Sequence, residues 1–326
     1  MRLNALALGL TVILFTASPA GYAQAAAWAP KRAVELVVGV GPGGAADRTA
    51  RTIQRIMQDR KIIQRPLTVM NRPGGGGAVG WTYIASHPGD GHFISVVTQQ
   101  LLTNNISRRT KLSHNDLTPI TLLFGEFHLF VVRADSSLTS PKVLLDRLRQ
   151  DPGSVSFGIA SAGGANHIAI GVLMKHIGVD VRKVKIVVFN SGAEPVTAML
   201  GGHIDVALSN PASIEPTVKG GQARALAVAA PQRLGGVHAT VPTWQESGVN
   251  AVYMAWRGIA APPQLPPEQL RLWEQAFLAL SQTDDWKSEL KKFYWLDAYR
   301  DGAATKKFLD DEYVLLRTLL EDLGLI

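Results

Sequence analysis

The sequence predicts an α/β protein of two lobes, each built on a parallel-type sheet, with the second lobe inserted into the first. Three observations predict it. A strand–helix alternation reads βαβαβ over residues 33–97 and recurs over 155–208. Extended stretches at 120–132 and 223–229 are placed to carry the chain from one sheet to the other and back. The 326 residues are 46% hydrophobic and 18% charged, which gives enough apolar material for two cores and excludes a disordered, collagen-like or coiled-coil chain.

Residues 1–25 read as a cleavable signal peptide rather than as part of the fold. Arg2 opens it, an apolar run covers 5–17, and Ala23-Gln24-Ala25 places small residues where a signal peptidase reads them. The run is short for a membrane span. No twin arginine precedes it, so the chain is expected to be exported unfolded, without a preloaded cofactor, into the periplasm. The absence of cysteine excludes disulfides, thiolate metal sites and a cysteine nucleophile. The net charge is +7, but its lysines and arginines are scattered and not interleaved with aromatics, which speaks against nucleic-acid binding.

The first lobe opens with residues 33–40 (AVELVVGV), a nearly continuous β-branched run of the kind found in buried parallel strands. A helix follows with Ala46, Ala50, Ile53 and Met57 on one face. Strands at 66–70 and 93–97 enclose a short helix at 78–86. In the second lobe, strands at 155–159, 184–189 and 204–208 alternate with helices at 165–177 and 194–200. The remainder is helical, at 267–280, 284–293 and 303–323. The expected division is 26–129 for the first part of lobe 1, 130–230 for lobe 2, and 231–326 for the return to lobe 1.

Two glycine turns carry the chemistry. Gly39-Val40-Gly41-Pro42-Gly43-Gly44 fits G-x-G-x-x-G between a strand and a helix, the dinucleotide pattern. Yet the second strand ends at Asn71, where a ribose-binding carboxylate is expected, and Pro42 with the extra Gly43 stiffens and broadens the turn. A simpler property remains. A glycine turn at a helix start presents unpaired N–H groups and the positive dipole end to one spot, which suits a carboxylate or phosphate. Gly163 and Gly164, within Ser161-Ala162-Gly163-Gly164-Ala165-Asn166-His167, repeat the device in the second lobe. The two turns are expected to face each other across a cleft. Asp47, in the first turn of its helix, reads as a cap or an orienter of the loop.

Other chemistry is weaker. Ser161 resembles a nucleophile elbow, but the preceding glycine is replaced by Ile159; with Asp205 and His238 it would make an exported α/β hydrolase, the enzyme alternative. The histidines are dispersed, without metal-ligand spacing. Trp256 beside Arg257 could wall and clamp a planar carboxylate.

The chain also resembles the substrate-binding proteins of tripartite tricarboxylate transporters, the TctC or Bug family. The resemblance is carried by the tether Pro30-Lys31-Arg32, the Gly41–Asp47 loop, and Asn71-Arg72-Pro73-Gly74-Gly75-Gly76-Gly77. It continues with Ser161 to His167, Phe189-Asn190-Ser191-Gly192, Gly201-Gly202-His203-Ile204-Asp205 and Arg224-Ala225-Leu226-Ala227-Val228. Residues 241–248 and Trp256-Arg257-Gly258 complete the order. It implies a periplasmic receptor of the two-lobe type II binding-protein fold, with a central cleft and no catalytic residues, metal or cofactor. A small di-, tri- or aromatic carboxylate would be held by Gly41, Pro42, Gly43, Gly44, Asp47, Gly75, Gly76, Ser161, Ala162, Gly163, Gly164, Asn166, His167, Asn190, Ser191, Asp205 and Arg257. The receptor, a monomer, would dock on the large and small integral subunits of a transporter, or report to a sensor. Two features depart from the family pattern. The first loop begins Gly39-Val40-Gly41, and Asn190-Ser191 stands where a tyrosine and a cation are common, leaving room for a bulkier or less charged ligand.

Overall fold

A computed structural model describes residues 28–189, 191–322, 324 and 326. The segment read as a signal peptide and Asn190 lie outside the described residues. The chain runs through β1 (Val34–Val38), α1 (Ala45–Asp59), β2 (Leu67–Asn71), α2 (Ala78–Ala85), β3 (Phe93–Thr98) and α3 (Gln100–Ile106). It continues with β4 (Thr118–Glu126), β5 (Leu129–Arg133), α4 (Pro141–Gln150), β6 (Ser156–Ile159), α5 (Ala165–His176), β7 (Lys185–Val188) and α6 (Glu194–Leu200). Next come β8 (Val206–Ser209), α7 (Pro211–Lys219), β9 (Ala223–Val228), β10 (Ala255–Ala261), α8 (Pro267–Gln282), α9 (Asp284–Phe293), β11 (Leu296–Arg300) and α10 (Gly302–Asp322).

The strands form two open sheets, ordered β11-β4-β10-β3-β1-β2 and β7-β6-β8-β5-β9. Each keeps the expected parallel core: β3-β1-β2 in the first and β7-β6-β8 in the second. Both are mixed sheets, because the strands next to the crossings pair antiparallel. In the first sheet β10 runs against both β3 and β4, and in the second β5 runs against both β8 and β9. The chain passes from the first sheet to the second over Phe127 and His128, between β4 and β5. It returns between β9 and β10.

Sequence periodicity explains how the sheets are covered. The predicted face of α1 buries Ala50, Ile53 and Met57 completely, packed with Trp273, Phe277 and Trp286 from α8 and α9. The opposite face of the first sheet shares one core with the second lobe: Val37 and Trp81 join Phe157, Ile168 and Leu173. Helix α10 contributes Leu309, Leu316 and Leu320 to that shared core and lies against β4 and α3. Helices α6 and α7 cover the other face of the second sheet, with Met199 and Ile214 against Leu129 and Val131. Buried apolar area of this kind is the main stabilising contribution, and fixes which ends of the strands are left to form loops. In both lobes the turns that follow parallel strands lie on the edge where a ligand crevice is found in open α/β sheets.

Candidate ligand cleft

On the first lobe, β1 ends at Val38 and the chain turns through residues 39–44 into α1. The turn is in backbone contact with the next loop: a Cβ on Gly39 would lie 2.5 Å from the Cα of Gly77. Gly43 has φ +85, and Gly44 begins the helix without a side-chain cap. Asp47 is 2% exposed and directs both oxygens inward. One accepts from the Gly43 N–H and from Arg51 Nε, each at 2.9 Å; the other accepts from Asn71 Nδ2 at 2.9 Å. Asn71 also donates to the Val40 carbonyl. Burial pushes the Asp47 pKa up, but the bonds from Arg51, Gly43 and Asn71 outweigh it and hold the carboxyl below its usual value. Asp47 thus orients the loop, and its oxygens are committed to it.

The second lobe repeats the plan with different chemistry. Gly163, at φ +73, donates its N–H to His167 Nδ1 at 3.1 Å, and Gly164 begins α5 without a side-chain cap. In each lobe, therefore, the side chain four residues on takes the amide of the turn glycine. His167 carries its proton on Nε2, and burial, then the nearby Arg109 charge, lowers its pKa and keeps it neutral. Asn166 Nδ2 donates to the Leu208 carbonyl at 3.1 Å, tying α5 to the end of β8. The helix-start amides of both lobes remain available to an anion.

Helix α3 and the turn after it stitch these loops together, and their residues are the part of the candidate site that sequence reasoning missed. Gln100 Nε2 donates to Ser161 Oγ at 3.0 Å, Thr103 Oγ1 to the Gly163 carbonyl at 2.9 Å, and Arg109 Nη1 to the Ala162 carbonyl at 3.0 Å. All three bonds run from the first lobe to the second. On the same helix Asn104 Nδ2 donates to the carbonyls of Gly75 and Gly76, at 2.9 and 3.2 Å. Gly76 has φ +61, and a Cβ there would meet Gln100 Nε2 at 2.9 Å. The available signal was the amide-rich run Gln99-Gln100 and Asn104-Asn105 directly after a buried strand.

Gly41, Pro42, Gly43, Gly44, Gly75, Gly76, Ser161, Ala162, Gly163, Gly164, Asn166 and His167 all fall on these three linked loops. Asp47 sits in α1 directly after the first of them, and three described ligand candidates, Ser191, Asp205 and Arg257, lie elsewhere. Asp205 precedes β8, at the edge opposite the turns, and accepts from the Ser156 N–H at 2.8 Å and its hydroxyl at 2.6 Å. Arg257 is 8% exposed and bonded to Glu126 Oε1 at 2.8 Å and to the Trp256 carbonyl at 3.0 Å. Its guanidinium braces the crossing strands β4 and β10 through Glu126. Ser191 donates to Glu194 at the start of α6.

The family model described as the tripartite tricarboxylate transporter family receptor, TctC, matches residues 49–325. The chain belongs to this family. A protein encoded in the tcbD–tcbE intergenic region of Pseudomonas sp. (strain P51) is 30% identical over 241 residues, covering 73% of this chain and 70% of the relative. A Polaromonas TctC solute-binding protein is 26% identical, with a TM-score of 0.69 over 90% of this chain and 99% of that one. A Rhodopseudomonas palustris protein solved with adipate is 23% identical and shares the fold, with a TM-score of 0.81 over 90% and 98% of the two chains. TctC proteins are solute-binding receptors, not enzymes, and the geometry of this TctC chain agrees. Ser161 meets Gln100, Asp205 meets Ser156, and His238 Nε2 meets the Pro211 carbonyl, so the hydrolase trio is not assembled.

Proposed function

We propose that this TctC receptor works in the periplasm, closes on a small carboxylated solute, and presents it to the large and small integral subunits of a tripartite transporter. The observation that carries the proposal is the pair of uncapped helix starts, α1 in one lobe and α5 in the other. Each follows a parallel strand on its cleft edge, and each brings unpaired amides and a positive dipole end suited to a carboxylate. The adipate bound to the R. palustris relative of the same fold is consistent with that chemistry. Ligand split between the lobes favours the closed state through its contacts on both sides.

A thermal-shift screen of mono-, di-, tri- and aromatic carboxylates tests the binding claim. A bound solute is expected to raise the melting temperature in a concentration-dependent way. Absence of any shift across the panel would count against a carboxylate receptor. Co-purification of the receptor, saturated with its hit, on membranes containing the transporter subunits tests the delivery step.

A further inference from the structure

We infer that Tyr294 is a positioning residue for closure, a first-lobe side chain latched into a second-lobe socket. It leaves that socket when the lobes part, and they part furthest along the side where α7 meets α9. The inference rests on the two-lobe closing reading above and is independent of which solute is bound.

Tyr294 follows α9 in the left-handed conformation, at φ +59 and ψ +32. Glycine or asparagine ordinarily fills such a position, because a bulky residue is strained there. The turn sends Trp295 into the first-lobe core, stacked 3.9 Å from Phe124, and sends the Tyr294 side chain to the second lobe. Its hydroxyl donates to Glu215 Oε2, on α7, at 3.0 Å. The bond from Lys219, one turn on, and then that from Tyr294 hold the Glu215 carboxyl below its usual value. The Tyr294 ring lies 5.2 Å from the ring of His238, which is completely buried and bonded through Nε2 to the Pro211 carbonyl at the start of α7. Gly236 completes the socket: it has φ +60, and a Cβ there would lie 2.7 Å from the Tyr294 hydroxyl. Residues 236–238 pack on α7, and the segment they belong to joins the second sheet where Thr243 bridges Val228. Glu215, Gly236 and His238 therefore sit on the second lobe, opposite the lobe that carries Tyr294.

The apolar cores indicate which side opens. On one face a single core runs through both lobes, with Val37, Trp81 and Leu101 of the first joined to Phe157, Ile168 and Leu173 of the second. Helix α10 adds a tie on that face, where Lys175 of α5 meets Asp322. Pulling this face apart would return buried apolar surface to water. On the α7–α9 face the cores are separate. One lies under α1, α8 and α9 on the first sheet, and the other under α6 and α7 on the second. Parting there leaves both cores whole and exchanges the Tyr294–Glu215 bond for bonds to water. A contact of that kind sets the balance of open and closed forms without touching solute.

The chain has no cysteine, so paired spin labels can be introduced without background. Ser213→Cys with Lys291→Cys spans α7 and α9, and His176→Cys with Thr318→Cys spans α5 and α10, all at exposed positions. Dipolar distance distributions are measured on the solute-free exported protein, with and without Tyr294→Phe, which removes only the hydroxyl. Tyr294→Phe is expected to lower the ratio of short to long α7–α9 distances about tenfold, the effect of one hydrogen bond to a carboxylate, and to move the α5–α10 distances less. Gly236→Ala, which crowds the socket, is expected to act in the same direction. Unchanged α7–α9 distances in both variants, whatever happens to the melting temperature, would make the bond a static brace and overturn the inference. An equal or larger change in the α5–α10 pair would overturn it as well. No solute enters the measurement, so failure of every carboxylate to bind would overturn the proposed function and leave the latch standing.

Discussion

Asp47 and Asp205 show how the surroundings of a carboxylate decide its use. Asp47 fastens the turn before α1 from within, through the Gly43 amide, Arg51 and Asn71. Asp205 fastens the start of β8 to Ser156, on the far side of the sheet. Asp47→Ala is expected to weaken ligand binding severalfold and to cost about 1–3 kcal/mol of stability at neutral pH, since it leaves a buried amide and two polar side chains short of an acceptor. Asp205→Ala is expected to cost about 1 kcal/mol of stability and leave affinity unchanged. Urea unfolding paired with calorimetry separates the two outcomes. The Asp47 pKa is lowered in the folded state, so its contribution is complete above the ordinary value of 3.8 and is lost as pH falls through the lower folded value. The stability gap between wild type and Asp47→Ala should therefore narrow only in that acid range.

At the scale of elements, α3 and α10 hold the lobes in register. One bond from α3, that of Thr103, and one from Arg109, just beyond the helix, end on backbone carbonyls of the second lobe's turn, so they align that turn. In Thr103→Val the closed state loses one of these bonds, and apparent affinity falls with the fraction of closed molecules. A drop of about three- to tenfold is expected, for one hydrogen bond of about 0.5–1.5 kcal/mol. Small-angle scattering of the ligand-free variant should show a larger radius of gyration than wild type; an unchanged radius and affinity would remove α3 from the closure step.

Helix α10 contributes differently. Its Glu312 is 9% exposed beneath Trp256, whose indole N–H donates to it at 3.4 Å, with Arg300 and Tyr253 within electrostatic reach. Burial raises its pKa to about 7 from 4.5, against the opposing Trp256 bond and Arg300 charge. The folded protein thus holds a proton that the unfolded chain gives up, and stability falls as pH rises from the ordinary value through about 7. Glu312→Gln is expected to be more stable than wild type by about 3 kcal/mol above that range and nearly equal below it. Thermal unfolding at several pH values reads this directly.

For the whole molecule, the consequential contact is the ion pair between Glu126 and Arg257, 2% and 8% exposed, where the chain crosses between sheets. His128 lies in the same crossing. Burial lowers its pKa to about 4, with Glu126 opposing and Arg257 reinforcing, so it stays neutral beside the pair. Arg257→Met would leave a buried carboxylate unpaired, at a cost of about 3–5 kcal/mol. Glu126→Leu combined with Arg257→Met is expected to recover most of that loss, since the buried charges go together. Restored stability with wild-type affinity in the double variant would mark the pair as structural bracing. Restored stability with lost affinity would return Arg257 to the ligand site.

The sequence by itself determined the features that depend on near neighbours. Strand and helix alternation, the buried face of α1, the glycine turns and the cap-free helix starts all follow from residues a few positions apart. Asp205 was misread as a ligand residue, because its bond to Ser156 joins positions 49 residues apart. Short elements were not legible. Helix α3 has too few turns to show a period, and β11 is a largely exposed edge strand that forms by pairing with β4. Only the tertiary structure decided which charges are spent inside the protein. Arg257 looked free beside Trp256 until strand pairing brought Glu126 to it across 131 residues. Gln100 and Thr103 became site residues only when the second lobe's turn was folded against them, about 60 residues further on. Local spacing fixes where an amide or a carboxylate can point, whereas nonlocal packing fixes what it meets, because close-packed cores leave each side chain few alternative partners.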